Sequence, residues 1–496
     1  MWLLLFLLSP ALGLHMKEPP LPESASRNEV PERWLDVKLN HFDASNTDKF
    51  PMRYYYNGIN TAATNSNIVI YVGGEWEITP GWVSSGLPYE IASLTGSGLF
   101  YTEHRYYGLT RPFRDTSLTN LRFLNVDQAL GDLAEFIQHV KSDDFENGRF
   151  RNASVGLVGC SYAGTMATWM RLAYPHLVDV AFSDSGPLHA QEDFPEYLEV
   201  ITEALRNQGG EACVASISEA VTRMRDMLYT TEGAAQISTM FNTCAPLQAN
   251  ATLDSSTFFW YGITETFAVL VQYAMPGNIA KACGVITEAT ESDPVQRLAN
   301  WINSMNEACI ESRYSVVVNN HRNTDFDAKD ATMRLWTYQT CVEYGWYQTT
   351  TSDKQPFLQT VPLEYFHQMC KDFFSNNVDE NLLRSGIRRT NLFFGGRTLP
   401  DYVVSVTGGI DPWRPMGPNV THSTPLSPVY FVPDVSHCRT VMPMVNSETE
   451  ELRETKLAVI EYMAYHMTGS HLSVASAHVS VVTPIVLLLS VIALIL

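Results

Sequence analysis

The segment from Ser154 to Ala173 constrains this chain more than any other. A continuous apolar run, Ser154–Val158, leads into Gly159-Cys160-Ser161-Tyr162-Ala163-Gly164. Residues at helical spacing then follow from Tyr162 to Ala173, and Pro175 stops them. Gly159, Ser161 and Ala163 match the pattern G-x-S-x-G with alanine in the last place, and Gly164 comes directly after. A serine at a sharp strand-to-helix bend takes a strained backbone conformation, which small neighbours tolerate. The start of the following helix favours developing negative charge. The segment therefore predicts an exposed nucleophile, Ser161, on an elbow. An ordinary strand–helix turn is the alternative.

A serine hydroxyl needs a base, and the base needs an acid to orient it. On a parallel sheet both belong just beyond the C-terminal ends of later strands. Two strand-like runs qualify. Val403–Thr407 is followed by Gly408-Gly409-Ile410-Asp411-Pro412-Trp413, and Val429–Val432 by Pro433-Asp434-Val435-Ser436-His437-Cys438. Asp411 and His437 are thus the candidate acid and base, in the chain order Ser, Asp, His. Asp411 as a simple turn-former before Pro412 is the alternative. Asp434 is a rival acid, but it lies three residues from His437 on one loop, poorly placed to reach the far ring nitrogen. His104 reads as a structural hydrogen-bonding residue. Two backbone N–H groups must also face the developing oxyanion. Tyr162, after the nucleophile, is one candidate, and Gly74 in the turn Gly73-Gly74-Glu75 is the other, with Glu75 beside it as a candidate substrate contact.

Around these turns the chain alternates strands and helices. Ile68–Val72, Gly98–Tyr101 and Val180–Phe182 read as buried strands, and Val126–Val140 as an amphipathic helix. This predicts an α/β domain with a parallel sheet covered on both faces. From about residue 191 to 376 the pattern becomes mostly helical, as in Ala212–Tyr229 and Val295–Ile310. Six of the eight cysteines fall there: Cys213, Cys244, Cys283, Cys309, Cys341 and Cys370. Strand-like runs then return, including Asn391–Phe394, and Glu448–His466 reads as a final helix. The expected architecture is an α/β domain over 35–190 and 377–468, interrupted by a helical, disulfide-bonded insertion over 191–376. Cys213–Cys283 with Cys244–Cys309 is one of the three ways to pair Cys213, Cys244, Cys283 and Cys309 among themselves. Cys160 and Cys438 adjoin the candidate nucleophile and base, which must meet, so the two cysteines are expected to bond each other; two buried free thiols are the alternative.

At these residues a resemblance emerges. Glu103-His104-Arg105-Tyr106-Tyr107-Gly108-Leu109-Thr110-Arg111-Pro112-Phe113 resembles a signature of the Pro-X carboxypeptidase family of serine peptidases. Val126–Leu130, Gly159–Gly164, Tyr338–Glu343 and Gly409–Trp413 match further blocks in order. The family holds carboxypeptidases and dipeptidyl peptidases. The resemblance implies an α/β-hydrolase fold with an inserted helical lid and a triad at Ser161, Asp411 and His437. It also implies a Cys341–Cys370 disulfide in the lid and a preference for cleaving after proline. Tyr338, Gln339 and Glu343 are candidate lid contacts with a peptide substrate, or structural support for Cys341. Neither cofactor nor metal is implied. A carboxylesterase or lipase, and a non-catalytic binding protein, are the competing functions on such a fold.

Both ends look like targeting signals. Residues 1–14, MWLLLFLLSPALGL, resemble a secretory signal peptide. Val479–Leu496 is an apolar run of 18 residues behind a cluster of small residues from Gly469, so residues 469–496 read as a GPI-attachment signal or a retained membrane anchor. Asn152, Asn250 and Asn419 each begin an N-x-S/T glycosylation site. Even cysteine usage fits an oxidising compartment, so the expected location is extracellular, cell-surface or lysosomal. With 33 basic and 53 acidic residues the net charge is −20, which repels phosphate backbones and excludes nucleic acid as a partner. A homodimer is left open.

Overall fold

The computed structural model describes residues 18–21, 30–58, 61, 66–306 and 308–471. The leader expected over 1–14 and nearly all of the anchoring signal expected over 469–496 lie outside them. The described core is an eight-stranded sheet. Its strands are β1 (Arg33–Lys38), β2 (Lys49–Asn57), β3 (Ile68–Val72), β4 (Gly98–Thr102), β5 (Val155–Cys160), β6 (Val180–Asp184), β9 (Val403–Gly408) and β10 (Val429–Val432), while β7 (Gln191–Asp193) and β8 (Gly345–Tyr347) pair separately. The order across the large sheet is β1-β2-β4-β3-β5-β6-β9-β10. From β4 to β10 every neighbour is parallel. β1, β2 and β4 are joined antiparallel, so the sheet is mixed rather than wholly parallel. The two antiparallel strands escape a search for unbroken apolar runs because charged and apolar residues mingle in both, as in Lys49-Phe50-Pro51-Met52-Arg53.

β3, β4, β5 and β6 are buried along their whole length, as strands covered on both faces must be. Among the described residues, helices α1 (Leu87–Thr95), α2 (Val126–Val140), α3 (Tyr162–Ala173) and α4 (Glu450–Thr468) pack against the sheet. Asn125 caps α2 by accepting the N–H of Gln128, and Thr449 caps α4 by accepting that of Leu452. The strand order, the strand–serine–helix bend and the helical excursion after β6 make this an α/β-hydrolase fold.

Between Asp184 and Val403 the chain leaves the main sheet. The short parallel pair β7–β8 joins the start of this excursion to a segment in its last third, with Gln191 opposite Gly345 and Asp193 opposite Tyr347. Disulfides Cys213–Cys283, Cys244–Cys309 and Cys341–Cys370 cross-link it. Asn391–Phe394, expected as a strand, is instead the last turn of the helix Glu380–Phe394. Asp379 starts that helix by accepting the N–H groups of Asn381 and Leu382. Thr390 and Phe394 face inward one turn apart while Leu392 and Phe393 are exposed, and Phe394 stacks on Trp169 with centroids 4.1 Å apart. Four apolar residues cannot by themselves distinguish a buried strand from a helix end; here the upstream cap decides.

Candidate active site

The elbow is built from local sterics. β5 ends at Cys160, α3 starts at Tyr162, and Ser161 between them has φ +57° and ψ −135°. That backbone conformation costs energy for any residue with a Cβ, and it turns the side chain away from both elements. The tight approaches fall on Gly159 and Gly164. A Cβ on Gly159 would sit 2.1 Å from the carbonyl oxygen of Ala163, and one on Gly164 would sit 2.9 Å from Ser183 Oγ. The essential small residues are therefore at 159 and 164, which is why alanine at 163 is accommodated. The Ser161 N–H donates to the Asp184 carbonyl (2.9 Å), and the Ser161 carbonyl accepts from Thr165 N–H (3.0 Å). Ser161 itself is half-buried, and its hydroxyl makes no hydrogen bond to His437 Nε2 in this structure.

The loops after β9 and β10 are zipped together. Gly409 N–H donates to Val432 O at 2.8 Å and Ile410 N–H to Val435 O at 3.1 Å. This brings Asp411 to His437: Nδ1–H of the imidazole donates to Asp411 Oδ1 at 2.8 Å. The same oxygen accepts Trp413 N–H at 3.0 Å. Because a carboxylate can only accept, Nδ1 carries the proton, and the neutral ring's lone pair is on Nε2. Nε2 meets no donor among the described residues, and neither does Asp411 Oδ2. The pair is sealed, with Asp411 at 0% and His437 at 5% exposure. Burial opposes protonation of the imidazole. Asp411 outweighs it, with smaller help from Asp184 and Glu75, and holds His437 above the ordinary histidine range.

A disulfide joins Cys160, the residue before Ser161, to Cys438, the residue after His437, with Cα atoms 5.6 Å apart. The excursion also grips the imidazole loop. Ser436 Oγ donates between the carbonyls of Val271 and Gln272 (2.5 and 2.6 Å), and Trp413 Nε1 donates to Gln272 Oε1 (3.0 Å).

Below the elbow lies a closed polar cluster. His104 Nδ1–H donates to its neighbour's carbonyl, Arg105 O, at 2.7 Å, so its Nε2 accepts, and the Tyr162 hydroxyl lies 3.4 Å from it. Burial drives His104 down to about 4, so it stays neutral. Gln339 Nε2 donates to the Tyr162 hydroxyl (3.1 Å), and Gln339 Oε1 accepts from Tyr107 (2.6 Å). Glu343 accepts Val126 N–H at the start of α2, 3.3 Å from each carboxylate oxygen, and pairs with Arg389 at 3.7 Å. Tyr338 packs edge-on against Phe374, with centroids 5.4 Å apart. Gln339 and Glu343 thus have partners within the chain. Glu75 differs: it is buried, and its Oε2 meets no donor among the described residues. Tyr162 contributes a first-turn backbone N–H immediately after Ser161, and Gly74 immediately precedes Glu75 in the turn after β3.

Asp184, the last residue of β6, and Ser185 just after it are site residues that the sequence pattern alone does not single out. The available signal was the polar run Ser183-Asp184-Ser185-Gly186 after a buried strand, where open α/β sheets place their functional groups.

Several carboxyls here are buried without full compensation. Burial pushes Glu75 to about 7 and Glu343 to about 8; Glu18, whose carboxylate accepts from Thr79, is pushed to about 7. Each folded-state value lies above its unfolded value, so the folded chain binds more protons, and the stability these groups contribute is lost as pH rises through 7 to 8. The histidines depressed by burial, led by His104, act in the opposite direction, but below about 6.5. The melting temperature is expected to fall between pH 6.5 and 8, by on the order of 5 °C. Calorimetry across that interval checks this, and Glu343→Gln should flatten the slope.

A family model described as serine carboxypeptidase S28 matches residues 37–459. Thymus-specific serine protease of Mus musculus is 30% identical over 446 residues, covering 86% of this chain and 85% of the relative. The Homo sapiens thymus-specific serine protease is 28% identical over 443 residues, covering 85% and 83%. Lysosomal Pro-X carboxypeptidase of Homo sapiens is 24% identical over 419 residues, covering 81% and 82%.

Proposed function

The chain belongs to the serine carboxypeptidase S28 family, and on that premise we propose that Ser161, His437 and Asp411 are its catalytic triad, working as an exopeptidase on short peptides with a preference for proline. That the protein is a serine peptidase follows from the family itself. The observation that carries the triad is the sealed His437–Asp411 pair, its Nε2 lone pair unused and its loop bonded to the serine elbow through Cys160–Cys438. In this mechanism Ser161 Oγ attacks the scissile carbonyl and gives its proton to His437 Nε2. Asp411 stabilises the imidazolium. The backbone N–H groups of Tyr162 and Gly74 face the oxyanion. His437 then protonates the leaving amine, and a water activated by the same nitrogen hydrolyses the acyl-enzyme.

Burial of the imidazole supports action on a chain end: a ring only 5% exposed leaves little room for a polypeptide to pass on both sides. Glu75 supplies an unpartnered polar group for the substrate beside the oxyanion turn. Proline preference rests on relatives named Pro-X carboxypeptidase. Peptides of about three to ten residues containing proline are expected to be trimmed from one end. Blocking that end by N-acetylation or C-amidation should slow cleavage more than tenfold. Mass spectrometry of the products reads this directly. Internal cleavage of doubly blocked peptides, or faster turnover of simple acyl esters, would overturn the reading.

The relative's lysosomal name, the leader over 1–14 and four disulfides support passage through the secretory pathway, and Asn152, Asn250 and Asn419 are all exposed for glycosylation. Among the described residues no helix is long and apolar enough to cross a membrane. The reading of residues 469–496 as an anchoring signal rests on the sequence alone.

A further inference from the structure

The tip of β6 touches both halves of the candidate triad. The backbone carbonyl of Asp184 accepts Ser161 N–H at 2.9 Å. Its carboxylate, 1% exposed, turns the other way: Oδ2 accepts the N–H groups of Thr440 (2.8 Å) and Val441 (2.9 Å), in the turn that leaves His437. Ser185 adds to the same junction. Its Oγ accepts Cys438 N–H at 3.0 Å, and its own N–H donates to Val406 O of β9 at 2.9 Å. Cys438 and Ser185 both have positive φ, +57° and +56°. The backbone on each side is therefore held in conformations that the surrounding bonds must maintain.

We propose that Asp184 is a positioning residue for the reaction, one side chain that fixes the imidazole turn while its own backbone fixes the serine elbow. The proposal rests on the triad reading. Two effects follow from the chemistry. As an acceptor, the carboxylate locks residues 440 and 441, and through them the ring at 437. As a charge, it favours the imidazolium that forms in the transition state. The charged and titratable groups facing Asp184 are His437 and Asp411 from the adjoining loops, Arg439 from the same turn, Lys456 from α4 and Tyr71 from β3; Glu75 faces His437 from the oxyanion turn. Burial raises Asp184 to about 6, opposed by its backbone donors and by His437. Its charge is therefore present at neutral pH and lost in moderate acid.

Asparagine at 184 keeps an acceptor and removes the charge; alanine removes both. Asp184→Ala is expected to lower kcat by about 30-fold with KM within threefold, the signature of a displaced base rather than of lost binding. Asp184→Asn should recover most of that loss, yet its acid limb in kcat/KM should move down by about half a pH unit, because a group that raises the imidazole is gone. A kcat for Asp184→Ala within twofold of the parent, even with a lowered melting temperature, would show a structural role and overturn the inference. If the alanine variant does not fold, the asparagine variant decides: an unmoved acid limb overturns it. Ser161→Ala serves as the control. Turnover within about a hundredfold of the parent there sinks the triad reading itself, whereas a Ser161→Ala variant depressed by about 10^4-fold or more beside parental Asp184 variants sinks only this proposal.

Discussion

Ser161→Ala is expected to lower peptide hydrolysis by about 10^4- to 10^6-fold, leaving only what oxyanion donors and substrate binding supply unaided. The same change should abolish labelling by a fluorophosphonate probe. The magnitude follows from the division of labour. Without the hydroxyl no acyl-enzyme can form, and His437 has no bound nucleophile to activate. The folded state should survive the change almost untouched. Alanine bears the φ of +57° no worse than serine does, and the elbow's own bonds are backbone bonds, from Ser161 N–H to Asp184 O and from Thr165 N–H to Ser161 O. The melting temperature should therefore stay within about 2 °C. Parental labelling in the alanine variant would place the nucleophile elsewhere.

How much of this was legible in the sequence depended on the kind of signal. β3, α2, α3 and β10 coincide residue for residue with runs read from hydrophobic pattern; β3 is buried throughout, α2 is strongly amphipathic, α3 is mostly buried, and β10 is a short apolar run fenced by Pro428 and Pro433. β1 and β2 were not legible: these antiparallel strands carry charges among their apolar residues, which blurs the pattern. Asn391–Phe394 misled because a helix end and a short strand share one composition, and the deciding residue, Asp379, lies well upstream. At the site, Ser161, Asp411 and His437 stood out because each follows a strand and sits among turn-formers. Asp184 shares the strand end and the turn-formers that follow it, but these do not say what its carboxylate meets. Its importance comes from which backbone donors it meets across the fold, a long-range property that local spacing does not encode. The same holds for Gln272, whose carbonyls tie the helical excursion to the imidazole loop.

Asp411→Asn should separate the two services of the candidate acid. Asp411 Oδ1 accepts from both His437 Nδ1–H and Trp413 N–H. An asparagine NH2 at that position would oppose the fixed Trp413 N–H and could meet Nδ1 only if the ring moved its proton to Nε2, so the amide oxygen is favoured there and the NH2 takes the place of the unpartnered Oδ2. The imidazole consequently keeps its tautomer and its orientation. What disappears is the charge, and with it the main influence that outweighs burial at His437. Left to burial, the ring is driven neutral, and the imidazolium needed in the transition state loses its counter-ion. The acid limb of the pH–rate profile should therefore move to lower pH while the plateau falls by about 10^3-fold, equivalent to about 4 kcal/mol of transition-state stabilisation. A buried NH2 without an acceptor should also cost about 1–3 kcal/mol of stability, visible as a lowered denaturant midpoint. Single-turnover acylation across pH 4 to 9, compared with the parent, reads both effects. A rate within tenfold of the parent, or an acid limb that moves upward, would mean that the carboxylate at 411 does not serve the imidazole at 437 in the way its geometry requires.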